Sequence, residues 1–533
     1  MNFKDKKYIL PILALCLISV SGCKNSNKDV KQITIGTTSQ IEKAQRDEYV
    51  YDMLASGVSE MPLVSKNEKG EYSPLVASYS SNDSKTWTYT IKENLYWSDG
   101  EKVTAEDIVY SLEYESTSEK PAFSSKDIVG TYENYSYSDD KNSVTLTLTN
   151  ANVKALDDMT TFRIRPKHIY ENKTKEQITE SDSRVTCGPY KLESFNKEAG
   201  ALTFTINEYY PQKPNFDKVI YKLFNNEEIM YSSLLNEQLD FVWNYSMGVS
   251  STYQNVLGNS NKVKLSSIAA TNCPAMLVFN NKNGLLSDKN IRFAVSYALD
   301  YEQFKEYFGS KYASTPNRSF APTTLVGFKE TEQLKTNYDK ASEYMIKAGY
   351  TKDAKYWAKD GISAEFKLTV NASKEMHVGY AEFVKTQLEK FGIKVNLDTV
   401  DATTYNAKTS NKFASEQGST VSMEAAIMGY TAFGMKNLGD MYINGNHQTQ
   451  GGAQVFDDSL NEIINSLNNA KTLEEYINYA GQLQDFYAQE TPAIALYWDS
   501  LIVAYSASLT DITLDSTFGI NNINNWFSMK KII

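Results

Sequence analysis

The stretch WTYTIKENLYWSDGEKVTAEDIVYSLEY, from Trp87 to Tyr114, decides how the rest of the chain is read. Trp87, Tyr89 and Ile91 alternate with Thr88 and Thr90, the two-residue period of a strand with one buried face. Ser98-Asp99-Gly100 is turn chemistry, because aspartate can bond its own backbone and glycine tolerates positive φ. Thr104-Ala105-Glu106-Asp107 has the S/T-x-x-D/E form of a helix start, in which two side chains satisfy unpaired backbone N–H groups. Ala105, Ile108, Val109 and Leu112 follow at i, i+3, i+4 and i+7 and mark a buried stripe. Tyr110 and Tyr114 share a different face and require partners of their own.

At 533 residues the chain is too long for one core and is expected to form two or three domains, with 41% hydrophobic and 12% aromatic residues to fill them. Net charge is −11 with both signs interspersed, which excludes the basic footprint that a nucleic-acid partner requires. The N-terminus carries Lys4, Lys6 and Lys7, then an apolar run from Tyr8 to Val20, the layout of a secretory signal too short to span a membrane comfortably. Val20-Ser21-Gly22-Cys23 resembles the lipobox of bacterial lipoproteins, which implies cleavage before Cys23 and its lipidation as a bilayer anchor. Loss of residues 1–22 removes three lysines and Asp5, taking the net charge from −11 to −13. Cys187 and Cys273 then remain in the body, either as a disulfide or as two buried thiols.

Further patterns follow in order. Ile33-Thr34-Ile35-Gly36 alternates as a strand, and Glu48 to Val58 reads as a helix with Tyr51, Leu54 and Ala55 on one face. Ile291, Ala294, Val295 and Ala298 form another helical stripe. Phe383 to Phe391, then Gly392 and the alternating Ile393, Val395 and Leu397, give helix, stop and strand. Two late helices are expected on stripes Phe456, Leu460, Ile463, Ile464, Leu467 and Leu473, Tyr476, Ile477, Ala480.

Trp97, Asp99, Gly100, Thr104, Ala105, Asp107, Ile108, Tyr110 and Ser111 together resemble the signature of the extracytoplasmic solute-binding proteins of ABC importers, in the peptide, dipeptide and nickel-binding family. The likeness continues through Gly70-x-x-x-Pro74-Leu75, Gly188-Pro189-Tyr190, Pro214-Asn215-Phe216-Asp217, Ile291-Arg292-Phe293-Ala294 with Tyr297-Ala298-Leu299-Asp300, Asp339-Lys340-Ala341 with Ala348-Gly349-Tyr350, and Pro492-Ala493-Ile494-Ala495-Leu496-Tyr497. Cys187 stands where threonine is usual. The resemblance implies an α/β fold of the periplasmic-binding-protein type II kind, with three domains and a ligand cleft between domains I and III. Domain I would comprise residues 33–72, 185–268 and 506–533, domain II 73–184 and domain III 269–505, after a signal peptide at 1–22 and a tether at 23–32. Two crossing segments near 268 and 505 would be the hinge.

The function so implied is capture of an extracellular solute, foremost an oligopeptide, by a lipid-anchored monomer on the outer face of the cell membrane that delivers it to a permease. The same fold also serves binding of a glycan or metal chelate, or a peptide-pheromone receptor or adhesin. Aligned on the family, ligand contacts fall at Glu42, Ala44, Tyr110, Gly429, Tyr430, Thr431, Phe433, Tyr497 and Trp498. In peptide-binding relatives the loop that contains Phe433 carries an aspartate for the peptide ammonium, so Glu42, Glu424 or Asp440 replaces that anchor or the ligand brings no ammonium there. Arg292 reads as a domain-internal ion pair in preference to a ligand contact. No enzyme, metal or cofactor reading emerges: G-x-S-x-G, H-E-x-x-H, the phosphate-binding glycine loops and C-x-x-C are missing, and His168, His377 and His447 are the only histidines.

Overall fold

In the computed structural model, which describes residues 31–66, 71–117, 132–179, 184–244, 248–353, 355–431, 438–514 and 519–532, strands and helices are arranged around one ten-stranded sheet. Cys23 and Phe433 lie outside the described residues. The first elements are β1 (Gln32–Thr37), α1 (Tyr49–Ala55), β2 (Ala77–Ser80), β3 (Thr86–Ile91), α2 (Ala105–Ser116), β4 (Tyr132–Tyr137) and β5 (Ser143–Leu148). Next come β6 (Tyr190–Asn196), β7 (Ala201–Ile206), β8 (Lys218–Leu223), α3 (Glu227–Leu235), β9 (Phe241–Val242), α4 (Ser251–Gly258) and β10 (Val263–Phe279). The chain continues with α5 (Lys289–Ala298), α6 (Tyr301–Phe308), β11 (Glu365–Asn371), α7 (Glu375–Phe391), β12 (Lys394–Val400) and β13 (Ala425–Thr431). Last are α8 (Asp440–Ile443), α9 (Asp458–Asn468), α10 (Leu473–Glu490) and β14 (Ala493–Ser506).

The sheet order is β12-β11-β13-β10-β14-β9-β1-β8-β7-β6. Strands β10 and β14 pair antiparallel from Val263↔Ser506 to Val278↔Ala493, so one long ladder is shared by both halves of the sheet. That ladder is broken in its middle: register shifts fall between Ile268 and Asn272, Asn272 and Ala275, and Ala275 and Met276. Each shift removes ladder bonds and adds local twist where the two halves of the sheet meet.

Away from the break, alternation sends neighbouring residues to opposite faces. Leu277 and Phe279 of β10 enter one core with α5, α6 and α7, while Met276 and Val278 enter another with α9 and α10. On the other half, Ile502 and Ala504 of β14 pack under α3 and α4, whereas Val503 joins the large core around α1 and α2.

The signature stretch makes a four-stranded sheet, β2-β3-β5-β4, with Ala105, Ile108, Val109 and Leu112 of α2 in the same core as Trp87, Tyr89 and Ile91. Its polar residues tie α2 to a distant segment. Asp107 Oδ2 accepts from the Thr104 N–H at 2.9 Å and the Trp97 indole at 3.3 Å, and its Oδ1 accepts from the Lys167 N–H at 2.8 Å. Ser111 Oγ accepts from the Arg165 N–H at 2.7 Å, and Asp99 bonds His168 Nε2 at 2.8 Å. Tyr110 and Tyr114 find their partners in Tyr170 and Ile178. The Tyr114 hydroxyl donates to Asp47 at 2.9 Å, and the Arg165 guanidinium lies 4.2 Å from its ring.

Two expected stripes are corrected. Phe456 precedes α9 and is half exposed, its ring 5.0 Å from the Lys282 ammonium. Leu473 and Ile477 of α10 are exposed, and the buried line is Tyr476, Ala480, Leu483 and Tyr487, because the sheet lies under a face rotated from the apolar stripe.

Candidate binding cleft

The end of β13 places Gly429, Tyr430 and Thr431 beside the broken ladder, with Cys273↔Tyr430 and Asn272↔Thr431 as register partners on β10. Trp498 sits across β10 on β14, and both rings enter the core of α9 and α10, 5.7 Å apart at 67°. Phe320 completes the wall, stacked on Tyr430 at 5.1 Å and 16°. Its backbone takes φ +58, a costly conformation for a large side chain that persists only where surrounding contacts impose it. Gly439 supplies one such contact, since a Cβ there would lie 2.7 Å from the Phe320 ring. Phe320 has no periodic or motif signal in the sequence; its position depends on a loop turning back over β13.

The segment after β5 reaches the same core. Val153 packs against the same core, and Lys154 Nζ donates to Asn468 Oδ1 at 2.9 Å. Asp440, at the start of α8, lies close to Tyr430 and Tyr487. Burial holds its carboxyl above the usual range, with Lys154 and His447 opposing. Burial, and then the Asp440 charge, likewise push the Tyr430 and Tyr487 hydroxyls up. His447 Nδ1 accepts the Gln450 N–H at 3.1 Å and so staples its own loop.

The remaining candidates lie elsewhere. Tyr497 points to the opposite face from Trp498, where its hydroxyl meets that of Tyr380 at 2.8 Å. Ala44 is fully buried in the core around α1. Glu42 is exposed and ion-paired with Lys197. Tyr110 is half buried with Tyr114 and Tyr170. The Glu424 carboxylate accepts from the Lys367 N–H at 2.7 Å at the sheet margin. Arg292 caps α10: its guanidinium donates to the Glu490 carbonyl at 2.8 Å and to the Leu286 and Ser287 carbonyls at 3.0 Å each, a cation placed where helix carbonyls end.

Cys187 and Cys273 are thiols buried in different cores, the first pushed up to about 12 by burial. Burial lowers His377 to about 4, which keeps it neutral. Among the described residues no group of three or more His, Cys, Asp or Glu is placed to hold a metal ion. Phe320, Tyr430 and Trp498 are 2–3% exposed and packed together in the core of α9 and α10, close to Asp440 and next to the irregular part of the β10–β14 ladder.

Comparison with known proteins agrees with this architecture. The chain is 22% identical over 98% of both chains to the oligopeptide-binding protein AppA of Bacillus subtilis, and 20% identical over 96% of both to the nickel-binding protein NikA of Staphylococcus aureus. Its fold superposes with a TM-score of 0.79 on the ABC transporter substrate-binding protein CtaP of Listeria monocytogenes, at 19% identity over 95% of this chain and 100% of that one. Residues 71–425 match the model for bacterial extracellular solute-binding proteins, family 5, and the chain is a member of that family.

Proposed function

We propose that this chain is the solute-capturing component of an ABC importer that closes on an oligopeptide and presents it to a permease. The observation that carries the reading is the broken β10–β14 ladder lying directly beside the Tyr430–Phe320–Trp498 wall. Closure about two weakened strands brings the half containing Val153 and Lys154 over that wall, so a ligand touching both sides favours the closed state. Residues 33–72, 185–268 and 506–533 would then move against 269–505, with 73–184 carried along. An oligopeptide is favoured by the similarity to the Bacillus relative, whose name says that it binds oligopeptides. A metal chelate is the second reading, supported by the name of the Staphylococcus relative.

Family alignment puts Phe433 where peptide-binding members hold an ammonium. Glu42 and Glu424 are engaged elsewhere, and burial pushes Asp440 toward its neutral form. Of the two alternatives, we favour a ligand that brings no free ammonium to this point over one anchored by Asp440. Mass spectrometry of material that co-purifies with the protein tests the class: bound oligopeptides support the first reading, and nickel with a small chelator supports the second. N-acetylating a captured peptide is expected to change its affinity by less than about 1 kcal/mol, the scale of one neutral hydrogen bond. A hundredfold loss on acetylation would instead show a charged anchor. Cys23 is proposed to carry the lipid, and a Cys23→Ala chain that remains processed and membrane-bound would contradict that assignment.

A further inference from the structure

Helix α4 and the turn after α6 border a groove of about 550 Å³ whose lining shares no residue with the Tyr430–Phe320–Trp498 wall. Its floor includes Leu265 of β10 and Ile502 of β14, so it lies on the two crossing strands themselves. Its two sides belong to different halves of the molecule. Helix α4 shares a core with α3 and Ile502, whereas α6 packs with α5 and α7 on the face of the sheet opposite Tyr430 and Trp498.

The lining has a specific chemistry. Helix α4 and its C-terminal cap present the carboxamides of Gln254, Asn255 and Asn259. Gln254 Nε2 is fixed on the Val249 carbonyl at 2.8 Å, which leaves its Oε1 as an acceptor. Facing them are Tyr307 and Tyr312, whose residues are 68% and 37% exposed although large aromatic side chains gain by burial. Glu306 and Lys311 add one charge of each sign and so no net charge.

This wall is built to stay in place. A Cβ at Gly309 would lie 2.5 Å from the Ala313 Cβ and 2.7 Å from the Lys305 carbonyl oxygen, so glycine is what lets the chain double back after α6. Asp499 of β14 then accepts the Ser310 N–H at 2.8 Å and its hydroxyl at 2.5 Å, fastening the turn to the crossing strand.

We propose that this groove is a second binding site, for a neutral mono- or disaccharide, whose occupancy is linked to the hinge angle. Carboxamides both donate to and accept from sugar hydroxyls, and exposed tyrosine rings offer flat surface to the C–H faces of a pyranose. The volume falls within the range of small-molecule sites. Because the two sides ride on different halves, a sugar bridging them binds this conformation more tightly than one rotated about β10 and β14, and reciprocally stabilises it. The hinge linkage rests on the solute-capture reading above; the sugar site itself does not.

The test uses the full chain and N,N′-diacetylchitobiose, followed by saturation-transfer NMR and calorimetry. Saturable binding is expected, weakened at least about tenfold by Tyr307→Ala and by Asn255→Ala with the melting temperature unchanged. No saturable binding up to about 20 mM, or binding indifferent to both substitutions, overturns the site. With a captured peptide as reporter, the sugar is expected to raise peptide affinity at least about threefold, and not in the Tyr307→Ala chain. Sugar binding that leaves peptide affinity unchanged overturns the linkage. Sugar binding by a chain that captures no peptide supports the site and counts against the capture reading alone.

Discussion

Lys154 donates to the Asn468 carboxamide oxygen at 2.9 Å, joining the segment after β5 to the last residue of α9. In the proposed closure the bond crosses between the two moving bodies, at a helix C-terminus, where a cation is also favoured by the helix dipole. It is solvent-exposed, so its removal is expected to cost the closed state no more than about 1 kcal/mol and the folded state nothing measurable.

Asn468→Ala should therefore speed release of a bound solute by up to about fivefold without moving the unfolding midpoint. Stopped-flow release kinetics beside urea unfolding separate the two effects. An unchanged release rate would mean that this contact does not hold the closed form.

The second expectation concerns the buried pair Asp52 and Arg163, where Nε donates to Oδ1 at 3.0 Å and Nη2 to Oδ2, with both side chains almost wholly buried. Asp52→Asn leaves a buried guanidinium without its counter-charge and is expected to cost about 3–5 kcal/mol. Asp52→Asn with Arg163→Met removes the stranded charge as well and should recover most of that loss. Urea denaturation of the three chains decides; equal stability of the single and double variants would contradict the argument.

Asp440 gives a pH-dependent expectation. Its folded pKa is raised by burial, so the folded state holds this proton more tightly than the unfolded chain, whose reference value is 3.8. Ionisation therefore costs stability: the cost is absent below the unfolded pKa, sets in as pH rises through it, and is complete above the folded pKa. Asp440→Asn should stabilise the protein by about 1 kcal/mol near pH 7 and be neutral near pH 3. Thermal melts at both values check the sign, and destabilisation near pH 7 would show that a cation holds Asp440 ionised.

Local order was legible where the determining residues lie close in sequence. The Trp87 to Tyr114 stretch yields β3, the Thr104–Asp107 capping box and α2 as expected, because each is set within about one turn or one strand. The partners of that stretch were not legible. Asp107 reaches Lys167 and Tyr114 reaches Asp47, and elsewhere Arg292 likewise meets the carbonyl of Glu490, contacts that only the folded topology creates. The wall was half legible: Tyr430 and Trp498 follow from family alignment, but Phe320 arrives from a loop. A one-residue step on β14 separates Trp498 from Tyr497, and the pattern Ala-Leu-Tyr-Trp does not reveal which ring faces the wall.

The central claim is that a solute is captured by bending at the β10–β14 break. Small-angle X-ray scattering of the chain stripped of co-purified material, with and without saturating captured peptide, tests it most directly. The account predicts that peptide contracts the radius of gyration by about 1 Å from a starting value near 24 Å. A saturated complex whose radius of gyration and scattering profile match those of the empty chain would contradict it.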